Sequence, residues 1–126
     1  MPGTGTMTIQ NSMTQGKNIY ITCIDYQSGC MDNPNPGDVI GLVKSGHPVQ
    51  LLCNRRGGHG CDGNQGFFAL EVLVNSEPAG IQLFQIDGDG GLAFNGSLIP
   101  VPGYAIGFTS QLSGGGNSVT WIITDL

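Results

Sequence analysis

Glycine and proline interrupt this chain so often that no segment of ten or more residues keeps a helical hydrophobic period free of them. With 22 glycines, 39% apolar and only 10% charged residues, the composition is rich in turns and poor in long amphipathic helices. An all-β chain is predicted. Segments of β-branched and aromatic residues recur between Gly, Pro, Asn and Asp, and about eight strands are expected from them. They are Met7 to Gln10, Asn18 to Ile24, Asp38 to Val43, Val49 to Cys53, Phe67 to Val74, Gly80 to Ile86, Tyr104 to Thr109 and Ser118 to Thr124.

Alternation assigns their faces, because successive strand residues point to opposite sides of a sheet. Ile19, Ile21 and Cys23 share one side, Phe68, Leu70, Val72 and Val74 another, and Val119, Trp121 and Ile123 a third; Glu71 falls opposite Leu70 and Val72. Strands at this spacing, joined by glycine-rich turns, predict a single-domain antiparallel β-sandwich over residues 1–126. Three segments read as loops: Gln27 to Gly37 with its two Asn-Pro steps, Gly57 to Gly66, and Ser113 to Asn117.

Four Lys and Arg against nine Asp and Glu give a net charge of −5, the wrong sign for neutralising phosphates. Nucleic acid is excluded as an expected partner, and anionic lipid, which recruits basic segments, is disfavoured. Neutral and zwitterionic surfaces remain open. MPGTGTMTIQ has neither a basic nor an apolar leader region, and no run approaches the roughly 18 apolar residues of a spanning helix. The expectation is a soluble chain, secreted or cytoplasmic, that is peripheral on any membrane it meets. Asn95-Gly96-Ser97 is a glycosylation sequon that matters only in a secreted chain.

The run CNRRGGHGCDGNQGFF, residues 53–68, concentrates cysteine, histidine, arginine, glycine and aromatic residues. Six residues separate Cys23 from Cys30 and seven separate Cys53 from Cys61, wider than zinc knuckles use. A zinc site drawing on His47 and His59 is the weaker reading. Two disulfides are the more natural use of an even count if the chain meets an oxidising compartment. Cys53 with Cys61 and Cys23 with Cys30 are the local pairings, Cys30 with Cys61 is another, and buried free thiols are what a cytosolic chain would carry.

A thiol nucleophile at Cys61 or Cys53 with His59 as base needs an orienting third group, and no hydrolase motif accompanies them. No enzymatic activity is expected. In DGDGG, Asp87 and Asp89 with Asn95 are the oxygen donors a weak calcium site would use, but the remaining EF-hand ligands are missing and an acidic turn is the plainer reading. Arg55 and Arg56 have a similarly plain alternative as surface ion-pair partners.

The segment VIGLVKSGHPVQLLCNRRGGHGCDGNQGFFAL, residues 39–70, resembles the aegerolysins. Ile40, Gly46, Cys53, Arg55, Gly63, Gly66 and Phe68 match that family's pattern in order, while TIQNSM resembles its first strand and LFQIDGDGGLAFNG its later strand and acidic turn. Asn54 stands where the family has glycine, and the family's tryptophan-rich stretches are absent. The resemblance implies a small β-sandwich that binds membrane lipids, notably sphingolipids, in toxin or defence biology, in some cases with a larger pore-forming protein.

On that basis the expected ligand-binding residues are Tyr26, Met31, Arg55, His59, Asp62 and Phe67, with Tyr26, Met31 or Phe67 inserting and His59 and the acids meeting a zwitterionic headgroup. The alternative is a glycan-binding lectin or secreted effector, with calcium at Asp87 and Asp89.

Overall fold

The computed structural model describes residues 3–14, 16–58 and 60–126. They form ten strands and no helix: β1 (Thr4–Asn11), β2 (Ile19–Gly29), β3 (Met31–Asn33), β4 (Val39–Val43), β5 (Val49–Arg55), β6 (Gly66–Val74), β7 (Glu77–Ile86), β8 (Leu92–Phe94), β9 (Thr109–Gly115) and β10 (Ser118–Thr124). Two five-stranded sheets result, ordered β3-β5-β1-β10-β9 and β4-β2-β6-β7-β8. All pairings between these strands are antiparallel except β1 with β10, which run parallel with Ile9 opposite Trp121.

The sandwich closes where alternation puts its apolar faces. Ile19, Ile21 and Cys23 from β2, and Phe68, Leu70 and Val72 from β6, meet Met7 and Ile9 from β1 and Val119, Trp121 and Ile123 from β10. Trp121 lies edge-on to Phe84 (5.0 Å, 83°), which stacks on Phe68 (5.2 Å), so aromatic contact runs from one sheet into the other. Two buried polar residues are satisfied within the fold. Asn11 donates to the Lys17 and Val43 carbonyls and accepts from the Met13 N–H, while Gln82 donates to the Leu83 and Gly96 carbonyls.

Three expectations are corrected. Tyr104 to Thr109 is not a strand: Pro100, Pro102 and Gly103 bring a turn there, with the Tyr104 N–H donating to the Val101 carbonyl, and the strand begins at Thr109. It runs through Ser113 to Gly115, so the hairpin connection is only Gly116 and Asn117. Gln27 to Gly37 is likewise more than a loop, since β2 extends to Gly29 and β3 pairs Met31 with Arg55.

The outer face of the second sheet carries two open ends. Rows of side chains cross it in register: Leu42, Tyr20 and Leu73; then Thr22, Glu71 and Ile81; then Ile24, Ala69 and Leu83; then Phe67 and Gln85. Ile99 bridges to Ile81 and, with Val101 and Ile24, packs on buried Ala69, Ile81 and Leu83. The middle of the face is thereby covered, and its two ends, at Phe67 and at Tyr20, stay open.

Candidate functional site

Phe67 sits at the end of the sandwich where β2 finishes, β5 turns into β6, and β7 turns into β8. The Cys30–Cys61 disulfide staples that end, joining the β2–β3 junction to the β5–β6 loop. This corrects the two local pairings. Cys23 and Cys53 are free and buried, because alternation directs both side chains into the core, where neither reaches its neighbour in sequence. Burial pushes the Cys23 thiol up to about 11 and the Cys53 thiol up to about 12, with Asp38 adding to the first and Cys23 to the second. Both shifts favour the protonated thiol. Under non-reducing conditions, iodoacetamide at pH 8 should label no cysteine of the native chain and two after unfolding in guanidinium, counted by mass spectrometry; four labels would remove the disulfide.

Arg55 ties together the described part of the loop between β5 and β6. Its Nη1 donates to the carbonyls of Cys61 (2.6 Å), Arg56 (3.1 Å) and Asn64 (3.2 Å), and its backbone N–H donates to the Gly3 carbonyl (2.7 Å). Arg55 was expected among ligand-binding residues; the structure places its guanidinium against the loop carbonyls and Gly88. Asp62 accepts from the Gly58 N–H (2.8 Å), closing a turn within the loop. Arg56 pairs with Asp32 at the surface (3.3 Å), a contact worth little energetically. His59 lies outside the described residues. His47 is exposed, with Nδ1 at 3.1 Å from the Ser45 carbonyl.

The acidic turn has a structural use. A Cβ on Gly90, which sits at φ +91, would lie 2.0 Å from the Thr4 carbonyl oxygen, so only glycine lets the turn close on β1. Asp87 accepts from Gln65 Nε2 (2.8 Å) and Asp89 from the Gly91 N–H (3.1 Å). Asn95 is not brought to them; it binds Gln27 Oε1 through Nδ2 (2.9 Å) and the Leu83 carbonyl through its N–H (2.8 Å). Among the described residues no three His, Cys, Asp or Glu side chains converge.

Of the residues expected to insert, Met31 is corrected: it is 4% exposed, because β3 turns it into the core against Gly66. Tyr26 is 52% exposed. Phe67 is half-buried and lines a recess of about 360 Å³ with Gln27, Ser28 and Asn95. The wall is one aromatic ring among neutral amides and a hydroxyl. Sequence reasoning singled out Phe67 and Asn95 but not Gln27 and Ser28, which join them only because β2 bulges between Ile24 and Gly29.

Fold and recess together define a two-sheet all-β protein with a small neutral pocket on the outer face beside a stapled loop. No family model matches the chain, and no curated protein matches it. Two solved structures are similar in fold. RahU protein, in complex with a TRIS molecule, is 15% identical with a TM-score of 0.52, the match covering 97% of this chain and 96% of that one. IP-1A from Alcaligenes faecalis is 12% identical with a TM-score of 0.53, covering 98% and 93%.

Proposed function

We propose that this chain is a non-enzymatic binder of a zwitterionic, sphingolipid-type membrane surface, using the stapled end of the sandwich. The observation that carries the reading is the Phe67 recess. A ring face partly open to solvent attracts the quaternary ammonium of a choline headgroup through its quadrupole, and the neutral amides of Gln27 and Asn95 supply donors for the adjoining phosphate. Tyr26, exposed one residue before Gln27, has the amphipathic ring that suits the headgroup level. The resemblance of residues 39–70 to aegerolysins supports the same target. A net charge of −5 is consistent with a surface that is not anionic.

The Cys30–Cys61 disulfide is suited to an oxidising compartment and so to a secreted, peripheral protein. A role in toxin or defence biology with a larger pore-forming partner belongs to this reading. The alternative, a calcium-dependent lectin acting through Asp87 and Asp89, has less support, since both carboxylates are engaged within the turn and with Gln65.

Co-sedimentation with vesicles of phosphatidylcholine, sphingomyelin mixtures and anionic lipid tests the proposal. Sedimentation is expected with sphingomyelin vesicles, unchanged by chelator, and weakened about tenfold by Phe67→Ala and by Tyr26→Ala. Absence of binding to all vesicles would reject the lipid reading, and loss of binding on chelation would favour the calcium-dependent alternative.

A further inference from the structure

The other open end of the same face holds a second recess, about 530 Å³ in volume, whose side chains include Asn18, Tyr20, Leu42, Leu73, Asn75 and Ser76. Its floor is a cross-strand row: Tyr20 of β2 lies between Leu42 of β4 and Leu73 of β6. Its rim is built from the β2 entry and the β6–β7 turn, which lock each other. The Asn18 N–H donates to Asn75 Oδ1 (2.9 Å) and the Asn75 N–H donates to the Asn18 carbonyl (2.9 Å). With its Oδ1 engaged, Asn75 keeps Nδ2 as a donor, while the Asn18 amide and the Ser76 hydroxyl offer both donors and acceptors. None of these lining residues carries a charge.

We infer that this recess is a carbohydrate subsite for a neutral pyranose, stacked on Tyr20 and hydrogen-bonded by Asn18, Asn75 and Ser76. A pyranose ring is itself amphipathic. Its polarised C–H face packs on the negative face of an aromatic ring, and its equatorial hydroxyls need donors and acceptors at the edge. The volume lies in the range of small-ligand sites, and a rim held by its own hydrogen bonds in advance of binding loses little freedom on association. The lining selects against an acyl chain, which would leave the three polar side chains desolvated without partners, and the flanking Leu42 and Leu73 with the amide and hydroxyl rim match the two-faced character of a pyranose. The inference stands independently of the Phe67 recess.

The test is an amide-resolved NMR titration of the 15N-labelled chain with methyl pyranosides of glucose, galactose, mannose and N-acetylglucosamine, and with phosphocholine as the charged control. Saturable shifts are expected for at least one sugar, centred on Asn18, Tyr20, Leu42 and Ser76, with millimolar affinity. Tyr20 is partly exposed, so Tyr20→Ala should keep the native spectrum while weakening binding about tenfold, and Tyr20→Phe should stay within about threefold. Asn18→Ala, which keeps both hydrogen bonds of the rim because Asn18 makes them through its backbone, should weaken binding by removing one polar contact. The inference is overturned if no sugar gives saturable shifts there, if the shifts survive Tyr20→Ala, or if phosphocholine occupies the recess.

Discussion

Trp121→Ala is expected to cost about 3–5 kcal/mol, read as a fall in the urea midpoint with little change in slope. Trp121 is fully buried and is the largest side chain of the core. It projects from β10 into the opposite sheet, meeting Phe84 at 5.0 Å and Phe108 at 6.5 Å, both edge-on. No neighbour can refill that volume, because Phe84 is already stacked on Phe68 and tilted against Phe94. The indole N–H donates to Ser110 Oγ (2.8 Å), so truncation also removes a partner from the hydroxyl on β9. A domain of this size has a net stability of about 5–15 kcal/mol, and the variant would therefore lose a large share of it. Trp121→Phe keeps much of the apolar contact and should cost about 1–3 kcal/mol. A loss below about 1 kcal/mol for Trp121→Ala would mean that this aromatic contact does not hold the sheets together.

The alternation that exposed Trp121 as a core residue also marked Ile19, Ile21, Cys23, Phe68, Leu70 and Val72, because one buried face forces a period of two on every long strand. Shorter elements leave no such trace. β3 and β8 have three residues each, too few for alternation to register, and missing β3 led directly to the expectation that Met31 was exposed. The parallel pairing of β1 with β10 joins the two ends of the chain and depends on no local signal. The sulfur pairing was open for a related reason: four cysteines allow three connectivities, and only the topology brings Cys30 to Cys61.

The candidate site was legible in part. Phe67 stood out as an aromatic residue beside a glycine-rich loop, and Arg55 as a charged residue within it. The sequence carries the identity of Arg55 but not the direction of its guanidinium, which points back to the carbonyls of Cys61 and Asn64. Tyr20 was read as part of a strand and not as a recess floor. Its neighbours Leu42 and Leu73 lie on different strands, and Asn75 reaches it through a turn more than fifty residues further along the chain. Recesses on a sheet face are assembled by register, and register is a property of the folded molecule.

Replacing Cys30 and Cys61 together by serine is expected to destabilise the chain by about 3–4 kcal/mol, the loop-closure entropy for a sequence separation of 31. Reductant should destabilise the natural chain by a similar free energy, read as a lower urea midpoint, and leave the midpoint of the double-serine variant unchanged, since Cys23 and Cys53 are free thiols. A reductant effect on the variant would mean that the two core cysteines are bonded after all. The same change has a local signature. Arg55 still holds the Cys61 and Asn64 carbonyls when the bridge is gone, and the Arg56 N–H still donates to the Cys30 carbonyl (2.7 Å). Opening should therefore be partial, seen as faster amide exchange over residues 57–65 while β6 and β7 stay protected. Gln27 and Ser28 precede the staple and Phe67 follows the loop it ties, so vesicle binding through the Phe67 recess should weaken on reduction even where the fold survives. The Tyr20 recess lies at the far end of the same face, outside the stapled loop, and its sugar binding should be indifferent to reductant as long as the sandwich is intact. Measured on one reduced sample below its unfolding midpoint, that contrast separates the two ends of the face by their dependence on a single covalent bond.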